Sequence, residues 1–362
     1  MAGQLLRMKI LVIALAGIGD CLIATPLIHE LRLHYPDAEL EALVFWPGSR
    51  DLLEGNPHLN TIHQRNLVKD GRVRAVRYLL QLRRRKYDIT INAHPQGPIH
   101  YRIAAGLIQG RLRLSHRYEK HGVLDSILVN RTLPQDYTLH SIQNNNRLLE
   151  LLEKKPLLPS HEMEIYLAPA EVQWAGEFIQ QRRLNHRQRL GIHVGSGGTK
   201  NLSLKRWPLA HYIELLQQLS RARPDLAVLL FGGPEEEQAH AEILAAVGGQ
   251  SVYPVPSRNL RQAAALMKHC HSFLSVDTAL MHVATAMKAP HQIVIEAPTL
   301  NTTNQPWQTD YRVVRNPMVN GRNLEYYRYD GGPIKGSREH LLACMASIKV
   351  QDVYQAVHEA MG

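Results

Sequence analysis

The amino-acid sequence predicts an α/β protein built from two Rossmann-like, doubly wound domains facing across a cleft. Three observations point to two doubly wound domains. A chain of 362 residues holds two domains at roughly 150 residues each. Two apolar, β-branched runs begin at residues 9 and 189 and close on glycine-rich turns, as buried parallel strands do. Each run is followed by helical periodicity and then by another apolar run, which is the pattern of a βαβ unit.

Each element follows from its residues in order. Lys9-Ile10-Leu11-Val12-Ile13-Ala14-Leu15-Ala16 is a strand, and Gly17-Ile18-Gly19-Asp20 is its closing turn. Leu27, Ile28, Leu31 and Leu33 stand at helical spacing within Leu22 to Tyr35, before Pro36. Thr25-Pro26 either opens that helix or kinks one already begun. Ala38 to Phe45 is the next strand. From Arg72 to Lys86 there are seven Arg or Lys and no acid, a helix with one cationic face. Lys154-Lys155-Pro156, Pro159 and Pro169 interrupt periodicity and mark a linker. The expected domains are therefore 1–160 and 170–340, with a terminal helical segment at 341–362.

The second half restarts with Arg189-Leu190-Gly191-Ile192-His193-Val194 and the turn Gly195-Ser196-Gly197-Gly198. Leu209 to Ser220 is an amphipathic helix stopped near Pro224, and Ala227 to Phe231 is a strand ending at Gly232-Gly233-Pro234. Phe273 to Val276 is a short strand running into Asp277-Thr278. Ile293 to Ile295 is another, running into Glu296-Ala297-Pro298-Thr299. Residues 301–336 read as irregular structure, and Leu341 to Met361 as helix.

Composition narrows the function. Hydrophobic residues at 44% and charged residues at 20% exclude disordered, collagen-like and disulfide-stapled chains. Cys21, Cys270 and Cys344 have no short spacing, so no disulfide framework or zinc knuckle is implied, and a reducing, cytoplasmic setting is expected. The apolar run at 10–16 is too short to span a bilayer. A net charge of +10 favours anionic partners, while 6% aromatics without a stacking motif argue against nucleic acid.

Four turns carry candidate chemistry. Asp20 stands at the carboxyl end of the first strand, where doubly wound sheets bind ligands and a carboxylate can act as a base. The plainer alternative is a helix cap. A dinucleotide fingerprint fails here, because its third glycine position is Leu22. The loop from Gly195 to Pro208 offers Ser196, Gly197 and Lys205 to an oxyanion, since glycine lets backbone N–H groups approach and lysine neutralises phosphate. One of Glu235, Glu236 and Glu237 can accept hydrogen bonds from ribose hydroxyls, although all three also suit a helix start. Asp277, Thr278, Ala279 and His282 lie on a strand-turn-helix segment whose amides suit a pyrophosphate. His94, Arg102, Arg117 and Lys120 make the first domain basic and are candidate acceptor contacts. His269-Cys270-His271 resembles a metal cluster only in composition, so no metal ligand is assigned.

Taken together, these motifs resemble the bacterial lipopolysaccharide heptosyltransferases of glycosyltransferase family 9. The resemblance runs from Lys9-Ile10-Leu11-Val12 and Gly17-Ile18-Gly19-Asp20 through Lys205-Arg206-Trp207-Pro208 and Asp277-Thr278-x-x-Met281-His282. It ends with Cys344-Met345-x-x-Ile348-x-Val350-x-x-Val353. The resemblance implies the GT-B fold and an inverting, metal-independent transfer, without a cofactor, from a nucleotide sugar, most often ADP-heptose. The acceptor it implies is a glycan or glycolipid hydroxyl, as in lipopolysaccharide core synthesis, with peripheral contact at the inner face of the inner membrane. It gives Asp20 the role of base and points Lys205 at the donor phosphates. It implies Glu235 or Glu236 at the ribose. Asp277, Thr278 and His282 match its donor-side turn. It also implies that the C-terminal helix returns to the N-terminal domain. Two departures stand out: Ala279 fills a Gly or Ser position, and Glu296-Ala297-Pro298 replaces Phe-Gly-Pro. On the residues alone, the alternative is a nucleotide-sugar epimerase or an NAD-type Rossmann enzyme.

Overall fold

The computed structural model describes residues 7–118, 122–197, 202–248, 251–298, 303–319 and 337–362. The chain divides into two compact units, with the boundary in sequence between Tyr166 and Leu167.

In the first unit, β1 (Lys9–Ala14) leads through the short α1 (Ile18–Ile23) and α2 (Thr25–His34) to β2 (Glu39–Val44). Then come α3 (Pro47–Leu53), β3 (Thr61–Gln64), α4 (Arg72–Arg83), β4 (Ile89–Asn92) and α5 (Ile99–Ile108). β5 (Leu112–Arg117), α6 (Val123–Leu128), β6 (Arg131–Pro134) and α7 (Ser141–Arg147) complete it. The strands form one parallel sheet in the order β3-β2-β1-β4-β5-β6. Alternation along β1 sends Ile10 and Val12 to one face with Leu27, Ile28 and Leu31 of α2. Leu11 and Ile13 face the other way, onto Leu79 and Leu82 of α4 and Ala104, Ala105 and Ile108 of α5. Of the two readings of Thr25-Pro26 the first holds: α2 opens at Thr25 with Pro26 in its first turn, and the residues before it form the separate α1.

The linker is pinned back onto this unit. Glu30 of α2, fully buried, accepts the Leu157 and Leu158 amides at 2.8–2.9 Å. His29 Nδ1 and Glu164 Oε1 lie 2.7 Å apart, and Tyr166 donates to Glu164 Oε2 at 3.0 Å.

The second unit contains α8 (Pro169–Gln181), β7 (Gln188–His193), α9 (Leu209–Ala222), β8 (Leu226–Phe231), α10 (Glu237–Val247) and β9 (Val252–Pro254). It continues with α11 (Leu260–Met267), β10 (Ser272–Ser275), α12 (Ala279–Ala286), β11 (Gln292–Ile295) and β12 (Tyr311–Val314). Its parallel sheet runs β12-β11-β10-β7-β8-β9, the same winding as the first unit. β12 falls inside the stretch expected to be irregular. It is an edge strand with little buried surface, so its sequence lacks an apolar run.

The C-terminal segment corrects an expectation. It forms α13 (Arg338–Ala346) and α14 (Val350–Met361), and both belong to the second unit rather than to the first. Val350, Val353, Val357 and Met361 make one helical stripe, which packs against α9 and against β10, β11 and β12. Trp207, 1% exposed, locks the junction by donating from Nε1 to the Ile348 carbonyl at 3.0 Å.

Candidate active site

In both sheets the strand order reverses beside the first strand, between β1 and β4 and between β7 and β10. The crevice outside the carboxyl ends of such strands is where doubly wound sheets bind ligands. The candidate residues gather at these two points.

At the end of β7 the chain turns through Gly195, Ser196 and Gly197. A Cβ on Gly195 would lie 2.1 Å from Glu236 Oε1, so the backbone approaches that carboxylate only as glycine. Gly197 has φ of +77°, a left-handed conformation open to glycine at no steric cost. Ser196 Oγ donates to the Leu202 carbonyl at 2.7 Å and accepts from Arg206 Nε at 3.1 Å. Arg206 also reaches Glu236 Oε1 at 3.3 Å. The two glutamates are thereby separated: Glu236 is buried and accepts the Gly233 amide at 2.9 Å, whereas Glu235 faces solvent. Only Glu236 stands against the β7 turn.

At the end of β10, Asp277 joins Lys205 and His282. Lys205 Nζ is 3.5 Å from Asp277 Oδ2, and His282 Nε2 is 3.9 Å from Oδ1. All three are buried. Burial lowers the His282 pKa, and Lys205 adds to that while Asp277 opposes it. The Nδ1 atom of His282 is buried without a hydrogen-bond partner among the described residues. Thr278 caps α12, accepting the Met281 amide at 3.4 Å, and its Oγ1 lies 3.1 Å from His193 Nδ1. Burial, reinforced by Arg206, His240 and Lys205, pushes His193 down to about 3, so it is neutral at physiological pH. Ala279 is the first residue of α12, directly after the Thr278 cap.

Sequence reasoning passed over His193 and Arg206. The signal for His193 was a polar residue closing a buried strand at the ligand-binding edge; Arg206 lay between two residues already singled out. Glu296, where the family pattern departs, is 2% exposed and accepts the Asn316 amide at 2.8 Å and Arg315 Nη1 at 3.1 Å. It therefore ties the end of β11 to the chain leaving β12.

In the first unit, Asp20 is the third residue of α1 and accepts the Gly17 amide at 2.8 Å through Oδ2. The capping role is thus real. A carboxylate offers about four acceptor positions, so this bond leaves the proton-accepting role open. Asn92, at the end of β4, is paired in register with Ile13 and buries an amide whose oxygen and nitrogen both lack partners among the described residues. The sequence offered no reason to select it.

The acceptor candidates divide. Arg102 is 1% exposed, ion-paired to Asp125, and donates to the Gln96 carbonyl at 3.0 Å. His94 is 2% exposed, 3.2 Å from the Tyr118 hydroxyl, and held well below its usual pKa by burial. Both are buried inside the first unit, with polar groups already bonded to Asp125, Gln96 and Tyr118. Arg117 is exposed at the end of β5, and Lys120 lies outside the described residues.

Sequence and fold are both similar to those of known proteins. The family model described as glycosyltransferase family 9 (heptosyltransferase) matches residues 76–328. Lipopolysaccharide heptosyltransferase 3 of Escherichia coli is 24% identical over 85% of this chain and 91% of that protein. Lipooligosaccharide heptosyltransferase 2 of Haemophilus influenzae is 25% identical, covering 89% and 92%. Among solved structures, the family 9 glycosyl transferase from Veillonella parvula superposes with a TM-score of 0.75 at 19% identity, covering 98% and 97%. The E. coli ADP-heptose lps heptosyltransferase II superposes with a TM-score of 0.70 at 22% identity, covering 98% of each chain. The two Rossmann-like units thus have the GT-B fold. With most of its length matched by the family model, this chain belongs to glycosyltransferase family 9, the heptosyltransferases.

Proposed function

We propose that the protein transfers a heptose from ADP-heptose to a hydroxyl of an anionic glycolipid, as in lipopolysaccharide core synthesis. One observation carries the reading: Lys205, Asp277, Thr278, His282, Ser196 and Glu236 gather at the strand-order reversal of the second sheet. In this reading Lys205 and the first amides of α12 bind the diphosphate, and Glu236 receives the ribose hydroxyls. Similarity supports the donor: an E. coli heptosyltransferase WaaC with ADP-2-deoxy-2-fluoro heptose superposes with a TM-score of 0.70 at 18% identity.

Asp20 then removes the acceptor proton as the hydroxyl attacks the anomeric carbon, giving inversion in one displacement. Charge building on the departing ADP is met by Lys205 and the α12 amides, which do the work a metal would otherwise do. Arg117 is the exposed cation offered to an anionic acceptor. Membership of family 9 favours this over the epimerase or NAD-type alternative. Among the described residues no helix is long and apolar enough to cross a membrane. In this reading the protein meets a lipid-anchored acceptor peripherally, as the acceptor's chemistry requires.

The test is a panel of nucleotide sugars read by thermal shift and by ADP release with a heptose-accepting glycolipid. ADP-heptose should raise the melting temperature most and be the sole efficient donor. A stronger response to a UDP sugar or to NAD overturns the assignment.

A further inference from the structure

The outer layer of the first unit has a chemistry that the transfer reaction does not use. α4 buries only Leu79 and Leu82. On its opposite side Val73, Val76 and Leu80 are exposed at spacings of three and four, one stripe at 3.6 residues per turn. Arg72, Arg74, Arg77, Arg83 and Arg84 flank that stripe, and no acid occurs in the helix. α4 packs beside α5, and α5 beside α6, covering the same face of the sheet. The neighbours extend the apolar surface with Ile99 and Ile103 of α5 and with Val123 and Ile127 of α6, which are 83% and 67% exposed.

A cavity of about 630 Å³ opens at the end of the α4 stripe, lined by Leu80, Arg83, Arg84, Lys86 and Arg111 against one acid, Asp88. It lies where β4 and β5 begin, at the sheet edge opposite Asp20. Among the described residues none of these four cations is held in an ion pair. Arg85, between them in sequence, is by contrast bound to Glu39 and Glu41.

We propose that α4, α5 and α6 form a docking face for an anionic lipid bilayer, and that the cavity at the end of α4 receives a phosphate-bearing lipid headgroup. Large exposed aliphatic side chains are costly in water and gain by entering the acyl boundary, while arginines at the same level meet lipid phosphates. A nucleic acid would use the cations but would leave the valines and isoleucines wet. The inference rests on the reading of the acceptor as a glycolipid and assigns the surface that reaches it.

The experiment uses the full chain and vesicles of phosphatidylcholine with and without phosphatidylglycerol, read by co-sedimentation across a salt series. Retention on phosphatidylglycerol vesicles alone, falling with salt, is expected. Arg83→Glu with Arg84→Glu should weaken it at least ten-fold, as should Val73→Ser with Val76→Ser and Leu80→Ser, with melting temperatures unchanged. Equal retention on both vesicles overturns the proposal. So does wild-type retention by either variant. Stabilisation by inorganic phosphate without vesicle binding overturns the lipid source, and displacement by DNA from an apolar-stripe variant that still binds like wild type identifies a nucleic-acid surface instead. Transfer to a water-soluble acceptor should be unaffected in both variants. Vesicle binding with no heptose transfer at all would leave this surface standing and remove the proposed reaction.

Discussion

Replacing Lys205 with alanine should do two separable things. Lys205 and Asp277 are 10% and 9% exposed at the side chain and 3.5 Å apart, so the change strands a carboxylate in a largely dry site. Removing one member of a buried pair costs about 3–5 kcal/mol. The residual exposure and the long separation put this pair at about 3 kcal/mol. Independently, a charge-assisted contact to the donor diphosphate is worth about 1.5–3 kcal/mol, or roughly 10- to 150-fold in ADP affinity. A second variant separates the effects. Lys205→Ala with Asp277→Asn removes the stranded charge and should recover much of the stability but none of the affinity contributed by Lys205. Urea unfolding gives the first quantity and calorimetric titration with ADP the second. If Lys205→Ala binds ADP as tightly as the wild type, Lys205 is a counter-ion for Asp277 and nothing more. If it unfolds at the wild-type urea concentration, the buried-pair argument fails.

Three further outcomes follow. Glu235→Ala should leave unfolding within about 0.5 kcal/mol of wild type and ADP affinity unchanged, while Glu236→Gln should weaken ADP; the reverse pattern in titration would reassign the ribose contact. Burial alone would raise the Glu41 carboxyl, but hydrogen bonds from His63, Tyr87 and Arg85 outweigh it and hold the group at about 2, below its ordinary 4.5. Folding therefore favours the ionised form: its contribution is complete above about pH 4.5 and lost as pH falls toward 2, so Glu41→Gln and wild type should differ most above 4.5 and converge in acid urea melts. Trp207→Ala should cost about 3–5 kcal/mol by opening a cavity under α14 and orphaning the Ile348 carbonyl, which denaturant titration will register.

The parts of the fold carried by local pattern were readable from the residues. β1 and β7 are continuous apolar runs ended by glycine, and β2, β8 and α9 follow them at the spacing a βαβ unit needs. The C-terminal helix misled because an apolar stripe such as Val350, Val353 and Val357 announces that a helix will be buried, not against which sheet. At the site, the turns after β7 and β10 were visible as glycine, hydroxyl and acid at strand ends. The choice between Glu235 and Glu236 was not, since three consecutive glutamates differ only in the phase of the turn that carries them. The burial of Arg102 and His94 was not readable, because their partners, Asp125 and Tyr118, are supplied by the fold at separations of 23 and 24 residues.

In the proposed reaction, Asp20 is the base that activates the acceptor hydroxyl. Asp20→Asn retains an oxygen for the Gly17 amide, so the cap at α1 is kept while the proton-accepting charge is lost. The decisive measurement is single-turnover heptose transfer from ADP-heptose by Asp20→Asn, with ADP affinity and melting temperature taken on the same preparation. Transfer should fall by roughly 10²–10⁴-fold, the usual contribution of a positioned base, while binding and melting stay at wild-type values. Wild-type transfer by Asp20→Asn, or a loss that tracks unfolding, would contradict the account and leave Asp20 as a helix cap.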